Sequence, residues 1–285
     1  MRFYFLDVFA ETKYAGNQLA VFYPEKHLSD AEMQRIAREI HFSETTFILS
    51  DSQENGGYAV RIFTPDVEIP FAGHPTLGTA YVIHRFFERQ KSDSILLNYS
   101  NTSILVTVAG DIYTMSQDAP SFGMIYTDFA RMAAMLNLSA HDIRTEYPVQ
   151  VISTGLPSLV VPLNSIKALA RCSISHALFK QFLESTFKCC LMLFVPTSET
   201  HIRARVFLDD TGFPEDPATG SANGNLAAYL LRYDIFGKDT LCYNSEQGVE
   251  MGRPSLLHVA ASLHGGAYDI RVGGKVRLVA TGEWE

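Results

Sequence analysis

Short runs of β-branched and aromatic residues, punctuated by turn residues, occupy most of the chain and predict strands. Arg2–Phe9 and Leu19–Tyr23 are two such runs, separated by a turn at Gly16-Asn17. Thr45–Leu49, with Glu44 at its mouth, and Tyr58–Phe63 follow. Ile95–Tyr99, Ile104–Val108 and Ile112–Met115 read as a meander with turns near Asn101 and Gly110-Asp111. The second half has the same style in Val149–Ser153, Leu159–Pro162, Leu191–Val195 and Ile202–Phe207. It closes with Leu256–Leu263, Tyr268–Val272 and Lys275–Ala280, the first two joined by a Gly265-Gly266 hairpin. One segment is a plain surface helix. Ser29 and Glu32 form a capping box, and Met33, Ile36, Ala37 and Ile40 fall on one face, with Asp30, Gln34, Arg35 and Glu39 toward water. Phe129–Leu136 predicts a second helix.

Two segments break this pattern. His74 to His84 and Pro217 to Leu231 contain no Asp, Glu, Lys or Arg. Both look helical, with Pro75 suited to the first helical position and Thr219 or Ser221 to an N-cap. A helix that is small and apolar on every side must be buried. One such helix per half predicts two domains, each wrapping strands around a central helix. The approach to each helix repeats as well: Arg61-Ile62-Phe63 leads to Gly73, and Arg205-Val206-Phe207 leads to Gly220. That weak similarity of strand, loop and helix reads as an internal duplication. The expected fold class is therefore α+β, with two pseudo-symmetric domains, each a β-barrel-like sheet around a central buried helix. The first domain is expected over residues 1–118, rejoined by 275–285, and the second over 119–274. No G-x-G-x-x-G follows a strand, so a dinucleotide-binding fold is set aside.

Composition narrows the function. With 285 residues, 47% of them hydrophobic and 19% charged, the chain has enough material for two globular cores. The net charge of −8 argues against nucleic acid or an anionic membrane as partner. No window reaches the roughly 18 apolar residues of a membrane span. The opening MRFYFLDVFA carries an early aspartate and reads as a strand, not a signal peptide, so a cytoplasmic location is expected. Cys172, Cys189, Cys190 and Cys242 have no C-x-x-C spacing, so neither a zinc site nor a redox pair is signalled.

The chemistry gathers at the two helix starts, Phe71-Ala-Gly-His-Pro75 and Glu215-Asp-Pro-Ala-Thr-Gly-Ser-Ala222. Free backbone N–H groups at a helix N-terminus favour a carboxylate or a developing oxyanion, and glycine permits close approach. His74, Glu215 and Asp216 add titratable groups there, and Thr219 and Ser221 add hydroxyls. This set suits proton transfer beside a carboxylate better than metal binding. A hydrolytic reading of Ser221 fails, because its context lacks G-x-S-x-G.

These two loops resemble the signatures of the PhzF-like family, named for a phenazine-biosynthesis isomerase and built on the diaminopimelate-epimerase fold. Ser43-Glu44-Thr45-Thr46-Phe47, Gly16-Asn17 and Gly252-Arg253-Pro254-Ser255 resemble further signatures, in the right order along the whole chain. The resemblance implies an isomerase with its site in an interdomain cleft, often a homodimer, acting on a small carboxylate-bearing molecule without a metal or organic cofactor. It implies that Glu44 is the acid/base, supported by His74 and Asp216, with Ser43, Gly73, Thr219, Gly220 and Ser221 at the substrate. Without that resemblance Glu44 would pass for a surface glutamate, His74 for a cap, and Asp216 for a turn residue. Related epimerases use one cysteine at each helix start. Ala72-Gly73-His74 and Thr219-Gly220-Ser221 contain none, so two-thiol racemisation is excluded. Gln18 is a departure, standing where relatives often have proline. Two alternatives stay open: a cofactor-free epimerase or racemase using Glu44 with a second base, and a catalytically silent ligand-binding protein. Arg61 and Arg205 are read as members of structural pairs.

Overall fold

A computed structural model describes the whole chain except residues 51–55, 89–91, 187 and 210–211. The chain forms two compact units, Met1–Ser116 with Gly273–Glu285, and Gln117–Val272. The first contains β1 (Arg2–Val8), β2 (Asn17–Tyr23), α1 (Asp30–Ile40), β3 (Thr45–Ile48), β4 (Tyr58–Phe63) and β5 (Glu68–Ile69). It continues with α2 (Gly73–Val82), β6 (Ser94–Asn98), β7 (Ser103–Ala109) and β8 (Ile112–Ser116). The second contains β9 (Ser121–Tyr126), α3 (Phe129–Met135), β10 (Val149–Ser153), β11 (Pro157–Pro162), α4 (Ile166–Arg171) and α5 (His176–Ser185). Then come β12 (Cys190–Ser198), β13 (His201–Phe207), β14 (Glu215–Asp216), α6 (Gly220–Arg232), β15 (Thr240–Gln247), β16 (Ser255–His264) and β17 (Ala267–Glu283).

Strand pairing in the first unit closes on itself. β1 pairs antiparallel with β2, β2 parallel with β3, β3 antiparallel with β4, and β4 parallel with β6. β6, β7 and β8 follow as an antiparallel meander, and the later half of β17 pairs with both β8 and β1 to complete the ring. A closed ring leaves no sheet edge open. Its interior is filled by α2, which touches β1, β2, β3, β6, β7 and β8. Every residue of α2 after Gly73 is buried, as a helix without a polar face requires. α1 packs on the outside, where Met33 and Ala37 meet Phe22, Phe47 and Phe63. Both halves of its capping box are formed. Gln34 departs from its expected water-facing position: its amide donates to the carbonyls of Thr64 and Pro65.

The second unit repeats the scheme. β9, β10 and β11 run antiparallel, β11 pairs parallel with β12, β12 antiparallel with β13, and β13 parallel with β15. β16 follows antiparallel to β15 and turns through Gly265-Gly266 into the first part of β17. That strand returns to the start of the unit, with the Gln117 N–H donating to the Ile270 carbonyl and the Phe122 ring against Tyr268. α6 fills the interior and is buried from Gly220 to Leu231. α3, α4 and α5 cover an outer face through Met132, Leu169, Phe179 and Phe182.

The duplication extends to single side chains. In β4, Arg61 grips Glu68 of β5 with two hydrogen bonds of 2.7 and 2.6 Å. In β13, Arg205 grips Glu215 of β14 with two of 2.8 and 2.7 Å. Each guanidinium also lies over the phenylalanine two residues on, Phe63 or Phe207. Both arginines are structural, as read from the sequence. Glu215 is thereby committed to Arg205, which withdraws it from the titratable groups expected to serve the helix start.

Three further expectations need correcting. Tyr268–Val272 and Lys275–Ala280 are one continuous strand, β17. Gly273 interrupts the sequence pattern because β8 passes so close that a Cβ there would lie 2.6 Å from the Tyr113 carbonyl oxygen. α2 starts at Gly73, which puts Pro75 at its third position, still within the first turn where a missing N–H is harmless. The strands β5, β9, β14 and β15 and the helices α4 and α5 were not foreseen.

Candidate active site

Each unit carries part of the expected residue set at the start of its internal helix. In the first unit, the loop leaving α1 delivers Ser43 and Glu44 into β3, which lies beside β2 and against α2. His74, in the first turn of α2, places Nε2 3.5 Å from Glu44 Oε2. The Glu44 side chain keeps 18% of its surface exposed and His74 only 6%. Oε2 of Glu44 is buried and has no hydrogen-bond partner. A buried carboxylate oxygen without a partner is costly and marks a place where a ligand group or proton belongs. Burial pushes the Glu44 carboxyl up to about 7, drawn back in part by a hydrogen bond with Ser43.

The imidazole is held from β2. Asn17 Nδ2 donates to His74 Nδ1 at 3.2 Å, and His74 Nε2 lies 3.2 Å from the Gln18 carbonyl oxygen. Ser43 Oγ donates to Asn17 Oδ1 at 3.4 Å. The turn before Asn17 needs Gly16, whose φ is +67° and where a Cβ would sit 2.3 Å from the Val8 carbonyl oxygen. Gln18 contributes its backbone oxygen to this contact. Ala72 occupies the N-cap of α2 without a side-chain cap, which leaves the Gly73 and His74 amides at the positive end of the helix.

In the second unit, Asp216 ends β14 and Thr219 takes the N-cap position of α6. The Thr219 hydroxyl donates to Asp216 Oδ2 instead of accepting from the helix. α6 therefore also begins without a side-chain cap, at Gly220 and Ser221, both buried. Gln247 of β15 fixes this loop. Its amide donates to the Asp216 carbonyl (2.7 Å) and to Thr219 Oγ1 (3.1 Å), while its Oε1 accepts from the Thr219 N–H (3.3 Å) and Asn223 Nδ2 (3.1 Å). The structure thus groups Ser43, Glu44, Gly73 and His74 in one unit, and Asp216, Thr219, Gly220 and Ser221 in the other. Sequence reasoning missed Gln247, which lies 28 residues beyond Thr219 and has no motif around it. Asn17 was visible only as half of a glycine-containing turn.

Among the described residues no cluster of three or more His, Cys, Asp or Glu side chains is arranged to hold a metal ion, and no helix is long and apolar enough to cross a membrane. All four cysteines are unpaired.

Two strand-wrapped internal helices, each opening on an uncapped terminus, define an α+β chain of duplicated design. The sequence places it more narrowly. The family model described as "Phenazine biosynthesis-like protein" matches residues 6–282, and the chain belongs to that family. It is 35% identical over 265 residues to the trans-2,3-dihydro-3-hydroxyanthranilate isomerase of Pseudomonas fluorescens, covering 90% of this chain and 88% of that one. A solved structure described as a predicted epimerase from Pseudomonas aeruginosa is 33% identical, with a TM-score of 0.83 over 99% of this chain and 98% of that one. A phenazine biosynthesis protein of the PhzF family from Bacillus anthracis shares the fold, with a TM-score of 0.91 at 23% identity over 100% and 99% of the two chains. The chain is an isomerase, which sets aside the silent binding protein.

Proposed function

We propose that this isomerase moves a proton between two carbons of a small, carboxylate-bearing metabolite, with Glu44 as the shuttling acid/base. The observation that carries the reading is the Glu44 carboxyl itself: buried, lacking a partner at Oε2, and raised to about 7. In the ionised form it removes a proton from carbon, and the electron pair left behind spreads into the adjoining unsaturated system. The resulting neutral carboxylic acid then returns the proton to a different carbon, so the product has the composition of the substrate and the enzyme regains its starting state. The uncapped amides at the start of α2 suit the substrate carboxylate or the negative charge that develops. Asp216, Thr219, Gly220 and Ser221 are assigned to substrate positioning on the family resemblance, and Asp216 is fixed for that task by Thr219 and Gln247. For this step a carboxyl that titrates near the working pH is sufficient chemistry.

An epimerase using Asp216 as a second base is the competing reading, favoured by the 33%-identical relative described as a predicted epimerase. The test uses trans-2,3-dihydro-3-hydroxyanthranilate, the molecule named for the 35%-identical relative, followed by proton NMR. A shifted double bond supports the isomerisation, and a stereoisomer of the substrate supports the epimerase. Replacing Glu44 with Gln preserves shape and removes the proton. Turnover is expected to fall by at least the ~10²–10⁴-fold that general acid–base catalysis contributes, with binding retained. A variant within threefold of wild type would overturn the role of Glu44. If wild type leaves this compound unchanged, a thermal-shift screen of small carboxylic acids supplies the substrate for the same comparison.

A further inference from the structure

Asn17, at the start of β2, is only 2% exposed, and its side chain meets both the Ser43 hydroxyl and the His74 ring. A carboxamide has one accepting end and one donating end. Asn17 Oδ1 lies 3.4 Å from Ser43 Oγ, and Nδ2 lies 3.2 Å from His74 Nδ1. The amide nitrogen can only donate, so Nδ1 must accept and carries no proton. On the other side of the ring, Nε2 lies 3.2 Å from the Gln18 carbonyl oxygen, which can only accept, so Nε2 carries the proton. The two neighbours specify the same tautomer independently, and its N–H also faces Glu44 Oε2 at 3.5 Å.

We propose that Asn17 is a positioning residue that holds His74 neutral with its proton on Nε2, so that Glu44 is the only member of the pair to take up a proton. This rests on the proton-shuttle reading of Glu44. Protonating Nδ1 would set an imidazole N–H against the amide N–H of Asn17 and forfeit the hydrogen bond between them. An imidazolium 3.5 Å from Glu44 would also hold the carboxyl ionised and so unable to keep the proton it abstracts. Two other titratable groups lie on neighbouring elements, one beside Gln18 in the ladder and one against the first turn of α2. Asp7 of β1, opposite Gln18 in the ladder, accepts from the Tyr14 N–H at 2.6 Å. Tyr99, just beyond β6, has its hydroxyl 2.8 Å from Thr76 Oγ1.

Long-range proton–nitrogen correlation spectra of the full chain labelled with ¹⁵N-histidine read the tautomer directly, with the His74 signals identified by their loss in His74→Asn. From pH 6 to 8 the wild-type ring is expected to show a protonated Nε2 and an unprotonated Nδ1. Asn17→Asp supplies an acceptor in place of the donor, so the proton moves onto Nδ1 and the imidazolium is favoured. The midpoint of the pH profile of kcat/KM should then fall by about 1–3 units, as for a carboxyl beside a new cation. Asn17→Leu removes the donor without adding an acceptor, so the His74 ring should take up a proton at a higher pH than in wild type; His74 signals unchanged from wild type in this variant would overturn the role of Asn17. A wild-type His74 protonated on Nδ1 in this range sinks the proposal, as does Asn17→Asp with unchanged His74 signals. Should Asn17→Asp fail to fold, the wild-type spectrum decides alone. The spectrum requires no turnover, so an active Glu44→Gln enzyme would remove the shuttle and leave the tautomer assignment standing.

Discussion

Glu44 shows how the fold changes the state of an ordinary side chain. A glutamate at a strand mouth normally keeps its carboxyl in water, whereas here burial against β2 and α2 lifts it to about 7. Because the folded value is above the unfolded one, the native state holds the proton more tightly. Stability therefore falls as pH rises from about 4.5 to about 7 and is level above that. A shift of this size corresponds to roughly 3 kcal/mol. Glu44→Gln should accordingly unfold later in urea than wild type at pH 8, and at nearly the same point at pH 4.5. Equal midpoints at pH 8 would show that the carboxyl is not strained in the free protein. The same titration predicts that kcat/KM rises with pH through about 7, since abstraction needs the ionised form; a profile flat between pH 6 and 8 would contradict it. At this scale the sequence supplied identities but not states. Nothing around Glu44 in the chain announces a partnerless oxygen, because the imidazole that faces it, His74, lies 30 residues further along.

The elements divide according to where their signal resides. α2 and α6 were legible because the absence of charge over a dozen residues leaves burial as the only stable outcome, and both are buried. α1 was legible from its capping box and its apolar stripe. α4 has six residues, too few for a helical period to register, and β9 is mostly exposed, so its apolar pattern is weak. α5 does carry helical spacing in Leu178, Phe179, Phe182 and Leu183, a signal that was available and overlooked. The Arg–Glu clasps that lock β4 to β5 and β13 to β14 are chemically alike but differently exposed. Arg205 and Glu215 keep 8% and 12% of their side-chain surface, against 24% and 40% for Arg61 and Glu68. Arg205 also donates to the Leu169 and Cys172 carbonyls at the end of α4. Arg205→Ala is therefore expected to cost about 3–5 kcal/mol in urea unfolding, as for a broken buried pair. Arg61→Ala should cost about 1 kcal/mol or less. Comparable losses at both sites would refute the distinction.

For the molecule as a whole, β17 is the element on which closure depends. Its later half pairs with β1 from Arg2↔Glu283 to Val8↔Val276 and also with β8, and Met1 and Trp284 exchange backbone hydrogen bonds at the end of the ladder. Removing Gly273–Glu285 would leave β1 and β8 as open edges around an apolar helix. The amides of α2 should then lose their slow hydrogen exchange, while those of α6 in the second unit keep it. Protected α2 amides in the truncated chain would show that the seven remaining strands of the first ring suffice. By itself the sequence determined the fold class, the two buried helices, the duplication and the residues that resemble a family signature. Each of these is written in composition or in spacing along a short stretch of chain. Tertiary structure alone decided the rest. It closed the first ring through a strand whose two glycines look like a break, withdrew Glu215 into a clasp with Arg205, and turned Thr219 from cap to partner of Asp216. It also raised Glu44 and set Asn17 against His74. Those outcomes depend on distances between residues far apart in the chain, and local pattern contains no term for such distances.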